Sequence, residues 1–315
     1  MLEIQKDIKL AEHTRFGIGG IADFFVSVNS AAELAEAIGD AVQNGWDWVL
    51  IGEGTNLLVS DQGYRGLVIK FQSQNLEFDE HNHQVTVDAG VNLASLIETL
   101  AEKGWSGMES MYGIPGSVGA GVYGNVGAYG TEIKNVLKRV SVLHAGQIIE
   151  MDADECKLEY RSSIFKSRKD WLVITATFEL MPGIPAEIKK TMDEIMAKRL
   201  VKYPAGLKCP GSYFKNIKIN ELSLEQNQVI SEYSAKIQGG KLASGVLLEA
   251  VGAKGMKIGG AAVADYHANL IFNTGSATAE DVRELAEQMK KLVLDKFGIK
   301  LQEEVQFLGN FAFDQ

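Results

Sequence analysis

The chain is poor in cysteine, proline and histidine, and short of positive charge. Two cysteines in 315 residues, Cys156 and Cys209, cannot build a disulfide framework, and their wide spacing matches no metal site. A reducing compartment is the simpler expectation. Five histidines are present. None lies in an HExxH or Cys–His pattern, so metal catalysis is unsupported. His81 and His83 sit in DEHNHQ, which reads as a solvated hairpin turn. Lys and Arg number 31 against 41 Asp and Glu, a net charge of −10. That balance argues against wrapping nucleic acid, though a local site can still take a small anion. No run approaches the roughly 18 apolar residues of a membrane span. The opening MLEIQKDIKLAEH lacks the apolar core of a signal peptide, and no lipidation signal is seen. The expectation is a soluble, cytoplasmic chain with neither membrane nor nucleic acid as partner. A GxSxG elbow, a Walker A loop and any 20–50-residue repeat are also missing.

Hydrophobic residues at 46% and charged residues at 23% are ordinary for a packed protein. The length suggests two domains, possibly three. Glycine is the excess, 33 of 315, against roughly 7% in average usage. Seven of them fall between Gly113 and Gly130. Four of the five prolines (Pro182, Pro185, Pro204 and Pro210) cluster at 182–210, the best candidate for a domain junction.

Residues 22–28 read as a strand. Ser30-Ala-Ala-Glu33 is a capping box for a helix with Leu34, Ala37, Ile38 and Ala41 on one face, ended by Gly45. Trp48–Ile51 is the next strand. Residues 67–71 and 85–87 are strands, and Asn92 caps a helix with Leu93, Leu96, Ile97 and Leu100, ended by Gly104. Residues 140–143 and 148–151 flank Ala145-Gly146 as a hairpin, and 172–180 is another strand. A helix spans 185–200 with Pro185 in its first turn. Thr278 caps a long helix carrying Val282, Leu285, Met289, Leu292 and Val293, stopped by Gly298. A terminal strand at 299–308 places Leu301, Glu303, Val305 and Phe307 on one face and Gln302, Glu304 and Gln306 on the other.

Three glycine turns stand out: Gly17-Ile-Gly-Gly20, Gly52-Glu-Gly-Thr-Asn56, and GIPGSVGAGVYGNVGAYG at 113–130. Glycine bares backbone N–H groups at close range, which suits a diphosphate. Thr55, Asn56 and Ser117 add side-chain donors. None of the turns completes a dinucleotide fingerprint, since Leu57 stands at the third glycine position after Gly52. Tight packing corners are the alternative. Arg161, in the polar knot Tyr160-Arg-Ser-Ser-Ile-Phe-Lys166, could clamp a carboxylate or be a surface arginine. Ser212 follows a Pro-Gly turn. Without a histidine partner it is a poor nucleophile, and it reads as a proton donor, a phosphate ligand or a turn serine. Glu304 can face a cleft or solvent.

Taken together and in order, HTRFGIGGIADFFV, IGEGTNLLVSD, GIPGSVGAGVYGNVGAYG, EYRSSIFK, GSYFKN, GGAAVADYHANLIFN and LQEEVQFLG resemble the UDP-N-acetylenolpyruvoylglucosamine reductases of bacterial peptidoglycan synthesis. The likeness spans nearly the whole chain. It implies an α+β protein with an FAD-binding domain of the p-cresol methylhydroxylase type at 1–182, in two α+β subdomains at about 1–62 and 63–182. A substrate-binding α+β domain follows at 197–303, and a terminal strand at 304–315 brings Glu304 to the active site. The implied catalytic residues are Arg161, Ser212 and Glu304. The implied FAD contacts are Gly52, Gly54, Thr55, Asn56 and Leu57, with Gly113, Ile114, Pro115, Gly116, Ser117, Gly119, Asn125 and Gly127. Tyr160, Lys202 and Asn216 are implied for the nucleotide sugar. No metal is implied.

Three departures from the family pattern are visible. The turn reads GEGTN where GGGSN is more usual, so Glu53 is expected to turn away from the diphosphate. Ile217 stands where proline usually follows GSYFKN. The short spacing from Arg161 to Ser212 resembles the form lacking an extra substrate-capping loop and its tyrosine. The resemblance implies that NADPH reduces FAD and leaves, and that the enolpyruvyl ether of UDP-N-acetylglucosamine enters the same cleft and is reduced to UDP-N-acetylmuramate. Arg161 then steadies the carboxylate, Ser212 protonates carbon, and Glu304 helps only as a proton donor or by orienting one. No oligomer is predicted, and a monomer is slightly favoured. Another flavin oxidase or dehydrogenase of the same fold, or a non-enzymatic nucleotide-sugar binding protein, are the alternatives.

Overall fold

The computed structural model describes residues 2–311; residue 1 and residues 312–315, the end of the expected terminal segment, lie outside the described residues. The chain divides into two units. The first holds the residues up to Ile8, Ala22–Glu53 and Arg65–Val201. The second holds Lys9–Ile21, Gly54–Tyr64 and the described residues from Lys202 onward. Two short early segments therefore pack with the C-terminal part of the chain.

In the first unit, helix α1 (Ala31–Asn44) begins where Ser30 Oγ accepts the Glu33 N–H at 3.1 Å. Glu33 closes the cap one residue further out than a capping box would, its Oε2 accepting the Asn29 N–H at 2.7 Å. Gly45 ends the helix at φ 69°, a conformation that costs a side chain energy. Helix α2 (Leu93–Lys103) starts with Asn92 accepting the N–H groups of Ala94 and Ser95 and ends at Gly104, φ 73°. Helix α3 (Val118–Gly124) lies in the long glycine loop, and helix α4 is Pro185–Lys202.

Two sheets carry these helices. One has the strand order Gln5–Lys9, Ile21–Val28, Tyr64–Phe71, Trp48–Ile51. Its last pair is parallel, with Trp48 opposite Leu67. The other runs Gln147–Asp152, Leu137–His144, Leu172–Glu179, Gln84–Asp88, Leu76–Asp79, antiparallel throughout. Ala145 and Gly146, both at positive φ, make the two-residue turn that matches strand twist. Polar 80–83 connects the other hairpin. Leu34, Leu67, Val87, Leu96 and Phe178 belong to one buried core. Each such side chain contributes about 1.5–3 kcal/mol by leaving water.

The second unit holds helices α5 (Leu224–Val229), α6 (Ser244–Ala250) and α7 (Ala279–Phe297) with a three-stranded antiparallel sheet of Lys257–Ile258, Ala261–Ala264 and His267–Asn273. Thr278 and Asp281 form a reciprocal capping box on α7. Val282, Leu285, Met289 and Val293 are buried, whereas Leu292 is 38% exposed. Its place on the apolar face is taken by Ala286 and Phe297, which fit the 3.6-residue period better.

The terminal strand is shorter than expected. Only Gln306–Leu308 is regular, paired in parallel with Leu57–Val59. Upstream, Glu303 meets Phe214 in an isolated bridge. Alternation needs one continuous ladder, and here the chain changes partners. Leu301 and Val305 stay buried, but Phe307 is 44% exposed and Leu308 is buried instead. Glu303 is held by Lys290 Nζ at 2.8 Å. Among the described residues, no helix is long and apolar enough to cross a membrane.

Candidate functional site

The first unit offers a set of bare amides. The strand Trp48–Ile51 delivers the chain to Gly52, where a Cβ would lie 2.7 Å from Ser117 Oγ. Ser117 starts α3, its Oγ accepting the Ala120 N–H at 3.4 Å. The N–H groups of Gly52, Glu53, Gly113, Gly116 and Ser117 have no acceptor among the described residues. Gly116 and Ser117 are buried, and buried amides without partners are rare. This is the feature by which these residues fit an external acceptor such as a diphosphate. The neighbouring amides differ: Val118 and Gly119 donate to the carbonyls of Val91 and Ala89 at 2.8 Å. Gly119 is a packing glycine, since a Cβ there would sit 2.7 Å from Ala89 Cβ. Glu53 turns to Asn92, whose Nδ2 donates to Oε1 at 2.8 Å.

The same loop supports Arg161. Asn125 is fully buried at φ 41°. Its Nδ2 donates to the Glu159 carbonyl at 2.8 Å and to Glu132 at 3.2 Å, and its Oδ1 accepts the Lys134 N–H. The side chain is thus occupied by hydrogen bonds within the protein. Glu159 and Ser162 exchange backbone hydrogen bonds at 3.0 Å, leaving Tyr160 and Arg161 at the tip of the turn. Arg161 sits at φ 54°, a left-handed conformation costing a branched-Cβ-free residue about 1–2 kcal/mol. Its Nη2 donates to the Gly127 carbonyl at 2.9 Å. The guanidinium lies 5.2 Å from the Tyr160 ring centre, and Lys166 Nζ donates to the Arg161 carbonyl at 2.8 Å. Gly127 itself has no room for a side chain, with Thr131 O 2.4 Å from a Cβ position. Ile114 donates its N–H to Met111, and Pro115 follows it, half-buried.

The second unit brings Ser212 and Glu304 to one residue. Tyr213, fully buried, follows Ser212 and accepts the Glu304 N–H at 2.8 Å. Asn269 clamps this segment: its carbonyl accepts the Tyr213 N–H at 3.0 Å, its Oδ1 accepts the Phe214 N–H at 2.9 Å, and its Nδ2 donates to the Phe214 carbonyl at 2.8 Å. Ser212 Oγ lies 3.0 Å from Tyr203 Oη. Glu304 is held from the other side by Asn56, whose Nδ2 donates to the Glu304 carbonyl at 3.1 Å. Leu57 pairs with Gln306. Gly54 sits at φ 66°, and a Cβ there would be 2.0 Å from the His13 carbonyl oxygen, so only glycine fits. Thr55 and Asn216 are half-buried and Lys202 is exposed. His267 is pushed down to about 4 by burial, with the Lys202 and Lys254 charges adding to it. Burial also raises both thiols, Cys156 to about 12, which makes them poor nucleophiles. No cluster of three His, Cys, Asp or Glu suited to a metal occurs among the described residues.

Sequence reasoning missed Asn269, Tyr203 and the Asn92–Glu53 bond. Asn269 lies inside GGAAVADYHANLIFN, but nothing in its spacing marks it as a clamp.

Comparison with known proteins gives two family matches. Residues 22–152 match an FAD binding domain, and residues 203–308 match the C-terminal domain of UDP-N-acetylenolpyruvoylglucosamine reductase. The reductase of that name from Solibacter usitatus is 40% identical over 98% of this chain and 97% of its own. The one from Carboxydothermus hydrogenoformans is 40% identical over 95% and 92%. The crystal structure of the Thermus caldophilus reductase superposes with a TM-score of 0.77 at 27% identity, covering 98% of this chain and all of the other. The fold is accordingly an α+β FAD-binding domain followed by an α+β C-terminal domain.

Proposed function

Because the chain belongs to the UDP-N-acetylenolpyruvoylglucosamine reductase family, we propose that it reduces UDP-N-acetylenolpyruvoylglucosamine to UDP-N-acetylmuramate for peptidoglycan synthesis in the cytoplasm, with NADPH as donor and FAD as carrier. The observation that carries this reading is the attachment of Ser212 and Glu304 to the same buried residue, Tyr213.

FAD, when bound, supplies the hydride acceptor and donor that no side chain provides. The unpaired amides of Gly52, Glu53, Gly116 and Ser117 are the groups to hold its diphosphate. Arg161, always charged, binds the substrate carboxylate and steadies negative charge as it spreads there. Its strained backbone is the kind of feature that persists at functional sites. Ser212 gives its hydroxyl proton to the carbon next to the carboxylate. Glu304 orients that exchange. Tyr160, Lys202 and Asn216 contact the nucleotide sugar.

The test is optical. The FAD-loaded protein should be bleached anaerobically by NADPH and recoloured by the enolpyruvyl nucleotide sugar. Ser212→Ala should still bleach but recolour at least about 100-fold more slowly. A reduced flavin that oxygen restores and the nucleotide sugar does not would overturn the reading.

A further inference from the structure

Resting on the reductase reading, we propose that Tyr203 is a positioning residue for Ser212: its phenol donates a hydrogen bond to Oγ and so readies the serine to release its proton. An aliphatic alcohol is a weak acid. It gives up a proton to carbon only if the oxygen left behind, which takes the negative charge as the new C–H bond forms, meets a donor at once. Tyr203 Oη lies 3.0 Å from Ser212 Oγ. Of two hydroxyls in contact, the phenol is the stronger acid and therefore the better donor. With Tyr203 donating, the Ser212 hydrogen is turned outward to a second acceptor.

The surroundings hold the phenol there. The Tyr203 ring packs on the His267 ring, centroids 6.0 Å apart. His267 Nδ1 accepts the Asn269 N–H at 3.2 Å, and Asn269 clamps Tyr213 and Phe214 beside Ser212. Tyr203, His267, Asn269 and Ser212 are thus one connected patch. Its imidazole stays neutral at physiological pH, since burial depresses its protonation. The phenol therefore has an uncharged ring beside it.

The experiment compares Tyr203→Phe, Ser212→Ala and the double variant as FAD-loaded proteins, following each half-reaction by flavin absorbance. In Tyr203→Phe, reduction by NADPH should keep its rate and the nucleotide sugar its Kd, while reoxidation by the sugar slows by about 10- to 100-fold, below the effect of a donor to charge developing on the substrate itself. Adding Tyr203→Phe to Ser212→Ala should cost nothing more, because the phenol acts only through the serine. Full-speed reoxidation in Tyr203→Phe overturns the proposal. So does an equal loss with and without Ser212, which a merely structural tyrosine would give. If Tyr203→Phe fails to hold flavin, Tyr203→Leu is judged by the same criteria. A wild-type protein that the nucleotide sugar cannot reoxidise refutes the reductase reading itself, and so is distinguishable from either result.

Discussion

The Arg161 turn and the Ser212–Glu304 pair reach their positions by opposite means. Arg161 is set by its own tight turn, braced by the glycine loop. Glu159 and Ser162 close the turn, Lys166 holds the carbonyl, and Gly127 receives the guanidinium. The backbone is held left-handed at φ 54°. Ser212 and Glu304 carry no such strain. Asn269, far along the chain, clamps the serine segment, and Asn56, still farther away, holds Glu304. One site residue stores local strain, and the other two depend on long-range hydrogen bonds. The first kind should lose function without losing stability; the second should lose both.

Arg161→Gly puts the sharpest strain on that contrast. Removing the guanidinium should slow substrate reduction by about 100- to 1000-fold. The same change relieves a left-handed side chain and should raise stability by up to about 1 kcal/mol in thermal or urea unfolding. A variant both inactive and less stable would break the comparison. Asn269→Ala should do the reverse. It leaves the Phe214 N–H and carbonyl buried without partners, at a cost of about 2–4 kcal/mol in urea unfolding, and slows the step that needs Ser212. Next comes pH. His267 is held near 4 when folded, below its ordinary value near 6.5. Between those values the unfolded chain binds the extra proton, so stability is lost as pH falls from about 6.5 to about 4, by at most about 3 kcal/mol. His267→Gln should flatten that part of the stability profile. The smallest effect belongs to Asn56→Ala, about 1 kcal/mol for one part-buried hydrogen bond, with a several-fold loss of turnover if Glu304 shifts.

Much of the scaffold was legible in advance. Ser30, Asn92 and Thr278 start helices because a short polar side chain satisfies free amides wherever it stands before an apolar periodic run. Gly45, Gly104 and Gly298 stop them because only glycine turns left-handed at little cost. Asn125 and Gly119 were legible only as members of a glycine-rich loop. Whether such residues face a cofactor or the protein's own carbonyls is invisible in their order. The terminal strand failed for a related reason: alternation was projected over ten residues, while the chain changes its pairing partner after Glu303.

Local residue order alone determined helices α1, α2, α4 and α7, several of the longer strands and the family motifs, since caps and periodicity depend on neighbours a few positions away. Tertiary structure alone decided that Tyr213 joins Ser212 to Glu304, that Tyr203 meets the serine hydroxyl, and that Glu53 turns to Asn92. Those hydrogen bonds join segments brought together by the burial of apolar side chains, and hydrophobic attraction is non-directional. Which polar groups finish side by side is fixed only once the packing is complete.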